Sequence, residues 1–155
     1  MNEQGAPLFE IRDLCKYFTL DSKNTLKAVN HVSLTIRKGE TVGIVGESGC
    51  GKTTFGRTLK RLYTATSGEV LYKGQDIFKM NRAQAHQYAK EVQMIFQDPY
   101  SSLDPRMTVR EIVREGMLNH GIYKGDRAAQ DKRIHELLTM VGLNEEHADR
   151  FPHEF

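Results

Sequence analysis

Gly46-Glu47-Ser48-Gly49-Cys50-Gly51-Lys52-Thr53 reads G-x-x-x-x-G-K-[ST] at every fixed position. Glycines in such a loop let the backbone turn tightly. They bring successive N–H groups onto phosphate oxygens with no Cβ in the way. Lys52 is the point charge for the β- and γ-phosphates of a nucleotide, and Thr53 offers its hydroxyl to Mg²⁺. Upstream, Thr41-Val42-Gly43-Ile44-Val45 predicts a buried, β-branched strand. Downstream, Lys52 to Leu62 predicts a helix with Phe55, Leu59 and Leu62 along one face. Thr54 falls in its first turn, where the helix dipole favours an anion. Strand, loop and helix in that order are the setting this chemistry needs. A plain Gly-rich turn between strand and helix is the simpler alternative.

Composition sets the outer bounds. The 155 residues make one domain's worth of chain, or part of a larger domain. A hydrophobic share of 39% and a charged share of 27% suit an ordinary globular protein. The net charge of +2 gives no reason to expect a nucleic-acid partner. No apolar run is long enough to cross a bilayer, and Met1 to Gly5 lacks the pattern of a signal peptide. Cys15 and Cys50 have no metal or redox spacing. They are read as reduced thiols of a cytoplasmic protein, with Cys50 a space-filler in the loop. The six histidines show no H-x-H or H-x-x-x-H spacing for a metal. Arg57, Lys60 and Arg61 share a helix face and read as solvated.

The rest of the chain is read from its periodicity. Strands are expected over Leu8–Phe18, Leu26–Ile36 and Glu69–Tyr72, and a buried one over Val92–Phe96. Arg37-Lys38-Gly39-Glu40 is expected to close a hairpin onto the phosphate-loop strand. Asn81 caps a helix to about Lys90. Pro99 and Pro105 enforce a loop after Gln97. Thr108 and Glu111 form a capping box opening a helix to about Met117. Asp126 caps a longer helix bearing Ile134, Leu137, Leu138 and Val141, stopped by Gly142. The chain therefore turns from β-rich to helical near residue 98.

The second motif is Gln97-Asp98-Pro99-Tyr100-Ser101-Ser102-Leu103-Asp104-Pro105-Arg106-Met107-Thr108-Val109, about 45 residues after Lys52. It closely resembles the Q-loop region of ABC-transporter ATPase subunits, and its wording is similar to the dipeptide/oligopeptide importer branch. The resemblance also takes in the phosphate loop, Ser67-Gly68-Glu69-Val70 and Arg150-Phe151-Pro152-His153-Glu154-Phe155. It implies an α/β fold, a P-loop NTPase of the ABC ATPase type. A partial ATP-binding core with the phosphate loop covers 1–97, and a partial helical subdomain with the Q-loop covers 98–155.

Several site roles follow from the resemblance. ATP and Mg²⁺ are the implied cofactors. The loop backbone from Gly46 to Thr53, with Thr54 following, holds phosphates, while the Glu47 side chain turns away from them. Thr53 and Gln97 serve the metal, and Gln97 also the attacking water. An aromatic near the end of the first strand stacks on adenine. Phe18 matches it best by its spacing from Leu14, with Tyr17 in reserve, and both are otherwise ordinary strand residues. The implied partners are a membrane-spanning subunit, met through the Q-loop region, and a second ATPase subunit. The implied place is the cytoplasmic, inner face of the cell membrane.

The departure from the family lies at the end. The Ser-Gly-Gly-Gln signature, the Walker B aspartate, the catalytic glutamate and the switch histidine do not occur in the 155 residues. The expectation is a truncated domain with an incomplete core sheet, marginal stability and no appreciable ATPase activity by itself. A non-catalytic nucleotide-binding module and an ABC ATPase with no transporter remain the alternatives. A GTPase is disfavoured because N-K-x-D is absent.

Overall fold

The computed structural model describes residues 5–98 and 100–155. The reading of the extreme N-terminus and of Pro99 lies outside the described residues. Two compact units divide between Gln93 and Met94.

The first unit is built on an antiparallel sheet. Strands β1 (Pro7–Thr19), β2 (Thr25–Arg37), β3 (Ser67–Tyr72) and β4 (Gln75–Asp76) lie in the order β2-β1-β3-β4. Ile11 faces Leu34 on one side and Val70 on the other, and Phe9 faces Tyr72. This places apolar alternate residues on one face, as period-2 patterning requires. Between Ile11 and Lys16 the register slips, and Asp13 (φ 51) and His31 (φ 53) take left-handed backbone at the bulge. Gly68 packs there. A Cβ on it would lie 2.3 Å from the Asp13 carbonyl oxygen, so no larger residue fits this crossing.

Helix α1 (Lys52–Leu59) and helix α2 (Arg82–Glu91) complete the unit. Ile11, Leu14, Val29, Phe55, Val70, Ile77 and Tyr88 form its buried core. Asn81 caps α2 as expected, and the cap is reciprocal. Asn81 Oδ1 accepts from Gln84 N at 3.0 Å and Asn81 N donates to Gln84 Oε1 at 2.9 Å.

Near the end of α2, Glu91 accepts from the Gln87 amide (2.7 Å), the Lys73 ammonium (2.6 Å) and the Tyr72 hydroxyl (2.9 Å). These bonds, led by that of Gln87, hold its carboxyl down at about 2, against an ordinary 4.5. The folded-state value is the depressed one. Its contribution to stability is therefore complete above about pH 4.5 and is lost as pH falls through about 2. Urea midpoints measured from pH 5 to pH 2 are expected to fall less steeply in Glu91→Gln than in the unsubstituted chain. Parallel curves would contradict the arrangement.

The second unit is helical. Helices α3 (Val109–Asn119) and α4 (Arg127–Met140) pack around Met117, Ile134, Leu138 and Ala148. Thr108 and Glu111 form the expected capping box, and Asp126 caps α4 by accepting from Ala129 N at 2.9 Å. Gly142 (φ 80) follows the end of α4 in the left-handed region. Arg110 donates to Asp149 at 2.8 Å and to Asp131 at 2.9 Å. Both carboxyls are held below the usual range by that guanidinium.

Four expectations need correction. Thr41–Val45 forms no strand, and Val45 is 96% exposed. Val92–Phe96 likewise forms none, and Ile95 is 95% exposed. A β-branched run becomes a buried strand only where neighbours supply a hydrogen-bond ladder and a covering layer. No described strand of the sheet pairs with either segment. Thirdly, the turn at Lys38–Gly39 forms, with Glu40 N donating to Arg37 O at 3.1 Å, but with no strand after it there is no hairpin. Lastly, α1 stops at Leu59, leaving Leu62 52% exposed. Val141 caps α4 and is 71% exposed. Their periodic spacing outran the helices because Arg61 (φ 63) and Gly142 (φ 80) turn the chain away.

Candidate nucleotide-binding site

The chain from Gly46 to Gly51 curls into a loop that delivers α1. Gly49 (φ 80) and Gly51 (φ 100) hold left-handed backbone, the conformation that glycine adopts without strain. Gly51 is also wedged against β2, where a Cβ would meet the Ala28 carbonyl oxygen at 2.0 Å. Gly46 faces the Cys50 thiol, and a Cβ there would lie 2.7 Å from Sγ. Phe55 N donates to Gly51 O at 2.8 Å, so the first helical bond closes on the last residue of the loop.

Lys52 folds back into this loop. Its ammonium donates to Gly46 O at 2.7 Å and to Glu47 O at 2.6 Å. A third contact reaches Cys50 Sγ at 3.5 Å. An ammonium has three donors, and sulfur is a weak acceptor that a phosphate oxygen outcompetes. The charge is thereby fixed at the mouth of the loop with one donor poorly used. Residues 46–50 and Thr53 are exposed, and no acidic residue stands in the first turn of α1. This donor set fits an anion. Phosphate is an anion of that kind, and a hydroxyl such as that of Thr53 is a donor type that suits a hard cation such as Mg²⁺. An open groove of about 480 Å³ adjoins the loop, lined among others by Val29, Val32, Ile44, Phe55 and Lys52.

The structure separates the two aromatic candidates. Tyr17 donates to Asn30 Oδ1 at 2.6 Å, with its hydroxyl also 3.4 Å from the buried Cys15 thiol. Phe18 packs edge-on against Tyr63 at 5.3 Å, beneath the Lys16 ammonium at 4.9 Å. Gln97 belongs to the second unit and is exposed. It precedes a tight turn in which Asp98 Oδ1 accepts from Tyr100 N (3.0 Å) and Ser101 N (3.2 Å). Those bonds, chiefly from Ser101, hold the Asp98 carboxyl below its ordinary value.

Lys60 differs from the solvated residue that its charge spacing predicts. It is half-buried, and its ammonium donates to Ala89 O at 3.1 Å and to Val92 O. Burial lowers its pKa. Arg57 too is engaged, donating to the Tyr63 hydroxyl at 3.2 Å.

A loop of this spelling, closed on a helix and folded about its lysine, defines a P-loop nucleotide-binding protein. The model of the ABC transporter family matches residues 29–155, and the chain belongs to that family. It is 50% identical to the oligopeptide transport ATP-binding protein OppF of Bacillus subtilis (strain 168), over 96% of this chain and 48% of that protein. It is 48% identical to the dipeptide transport ATP-binding protein DppF of Lactococcus lactis subsp. cremoris (strain MG1363), over 94% of this chain and 47% of that protein. The chain thus spans about half the length of the curated relatives it matches.

Among solved structures, it is similar to the ATP-binding cassette MJ0796, seen as a dimer in a post-hydrolysis state bound to ADP and Pi. The TM-score is 0.79 and the identity 25%, over 95% of this chain and 62% of that one. The fold is therefore that of an ABC ATPase, incomplete in its sheet. No helix among the described residues is long and apolar enough to cross a membrane.

Proposed function

We propose that this chain is the nucleotide-binding part of an ATP-binding subunit that energises an importer of peptides or similar small solutes. The observation that carries the reading is the Gly46–Thr53 loop, wedged on β2 at Gly51 and folded about the Lys52 ammonium. ATP with Mg²⁺ is the ligand, held by loop N–H groups, Lys52, Thr53 and Thr54. Magnesium bound at Thr53 would supply charge neutralisation at the phosphates. An aromatic at Phe18 or Tyr17 meets the base. Peptide import is favoured over other ABC tasks by the two relatives named above, both peptide transport proteins.

The loop from Gln97 to Met107 is the surface offered to a membrane-spanning subunit, where Tyr100 is 60% and Leu103 37% exposed. A second ATPase subunit completes the nucleotide site, as the dimeric MJ0796 cassette suggests. The place of action is the inner face of the membrane. Affinity capture should retain the membrane subunits of a peptide importer, and Tyr100→Asp should release them. Capture that is indifferent to Tyr100→Asp would remove the loop from the interface.

Catalysis is a separate matter. The 155 residues supply Gln97 but no catalytic glutamate or Walker B aspartate, so no group deprotonates the attacking water. In a steady-state assay with Mg·ATP, phosphate release by this chain is expected to stay at the level of Lys52→Ala. Turnover that Lys52→Ala abolishes would contradict the proposal.

A further inference from the structure

The phosphate-loop helix is anchored at its far end by two bonds to α2. Tyr88 is buried, 2% exposed, and its hydroxyl donates to Leu59 O, the last carbonyl of α1. In return Lys60, which caps α1, sends its ammonium to Ala89 O and Val92 O at the end of α2. A cation at that position meets the negative end of the α2 dipole and satisfies carbonyls that have no partner within the helix. Gln93 Nε2 completes the cap, donating to Ala89 O at 2.8 Å and Lys90 O at 3.2 Å. At its near end α1 is fixed by the Gly51 wedge on Ala28.

An α-helix of eight residues is a stiff rod of about 12 Å. A shift of this rod on filling of the loop must be accommodated by the Lys60 and Tyr88 bonds or be resisted by them. Val92 is the residue from which the chain runs on toward Gln97.

We propose that Lys60 is a positioning residue. It ties the phosphate-loop helix to the C-terminal end of α2, so that nucleotide in the loop stabilises the residues from Tyr88 to Gln93. The inference rests on the nucleotide-binding reading. The coupling needs no direct contact between nucleotide and α2, only a differential free energy between tied and untied arrangements.

Amide hydrogen exchange on the 155-residue chain, with and without ATP·Mg²⁺, tests it. At a nucleotide concentration a hundred times Kd, linkage allows slowing by up to about a hundredfold where opening releases the ligand. The unsubstituted chain is expected to show slowing at Gly46–Thr54 and, about tenfold, at Tyr88–Gln93. In Lys60→Met the slowing at the loop persists, while the nucleotide-dependent part at Tyr88–Gln93 disappears. Lys60→Arg restores it. Tyr88→Phe, which keeps the ring and removes only the bond to Leu59 O, reduces the same difference and serves if Lys60→Met does not fold.

A purely structural lysine would raise exchange at Tyr88–Gln93 equally with and without nucleotide. The nucleotide-dependent difference would then survive in Lys60→Met, and that overturns the proposal. Slowing at the loop without slowing at Tyr88–Gln93 in the unsubstituted chain overturns it as well. No slowing at Gly46–Thr54 rejects the nucleotide site itself, and the coupling with it.

Discussion

Gly51→Ala is expected to cost roughly 3–5 kcal/mol and to lower the urea midpoint by about 2 M, enough to unfold a marginal chain. Two effects combine. A non-glycine residue at φ 100 is strained by about 1–3 kcal/mol. The new methyl would also stand 2.0 Å from the Ala28 carbonyl oxygen, a backbone atom of β2 that can retreat only by distorting the sheet. Gly39→Ala is the control. Its φ is 79, yet nothing lies within 4 Å of its added Cβ. That substitution should cost only the conformational term. Equal losses for the two would mean that the loop is not wedged on β2.

Lys52→Ala is expected to leave the fold intact and to weaken ATP·Mg²⁺ binding by about 10–150-fold. Hydrogen bonds to charged groups are worth about 1.5–3 kcal/mol, and Lys52 supplies the ammonium around which the loop closes. Lys52 is half-buried and lies outside the buried core cluster, so the urea midpoint should move little. Affinity measured by displacement of a fluorescent nucleotide separates the two effects. A loss of less than about threefold would place the phosphates elsewhere. A large midpoint shift would make Lys52 a stability residue first.

The legible parts of the sequence were those coded within a few residues. Asn81, Thr108 and Asp126 cap the helices they were expected to cap, because a cap is made with backbone three residues away. β1 and β2 follow their own alternation. In the phosphate loop, Gly49 and Gly51 hold left-handed φ values, a local requirement. The strands that failed depended on distant neighbours. Ile44, Val45 and Ile95 look like core residues, but burial is conferred by strands beside them, and no described strand takes that place.

Lys60 looked solvated because charge spacing carries no trace of Ala89 O and Val92 O, about 30 residues on. Sequence spacing favoured Phe18 over Tyr17 for the base without describing either environment. The Phe18 contact with Tyr63 and the Tyr17 bond to Asn30 depend on β-sheet register and on the turn after α1.

The central claim is that Gly46–Thr53 binds nucleotide phosphates, and calorimetric titration of ATP with Mg²⁺ into the 155-residue chain tests it most directly. A saturable isotherm with one site per chain, lost or much weakened in Lys52→Ala, is the predicted result. A chain that unfolds cooperatively in urea, and so is folded, yet gives no binding heat that Lys52→Ala removes, would contradict the account.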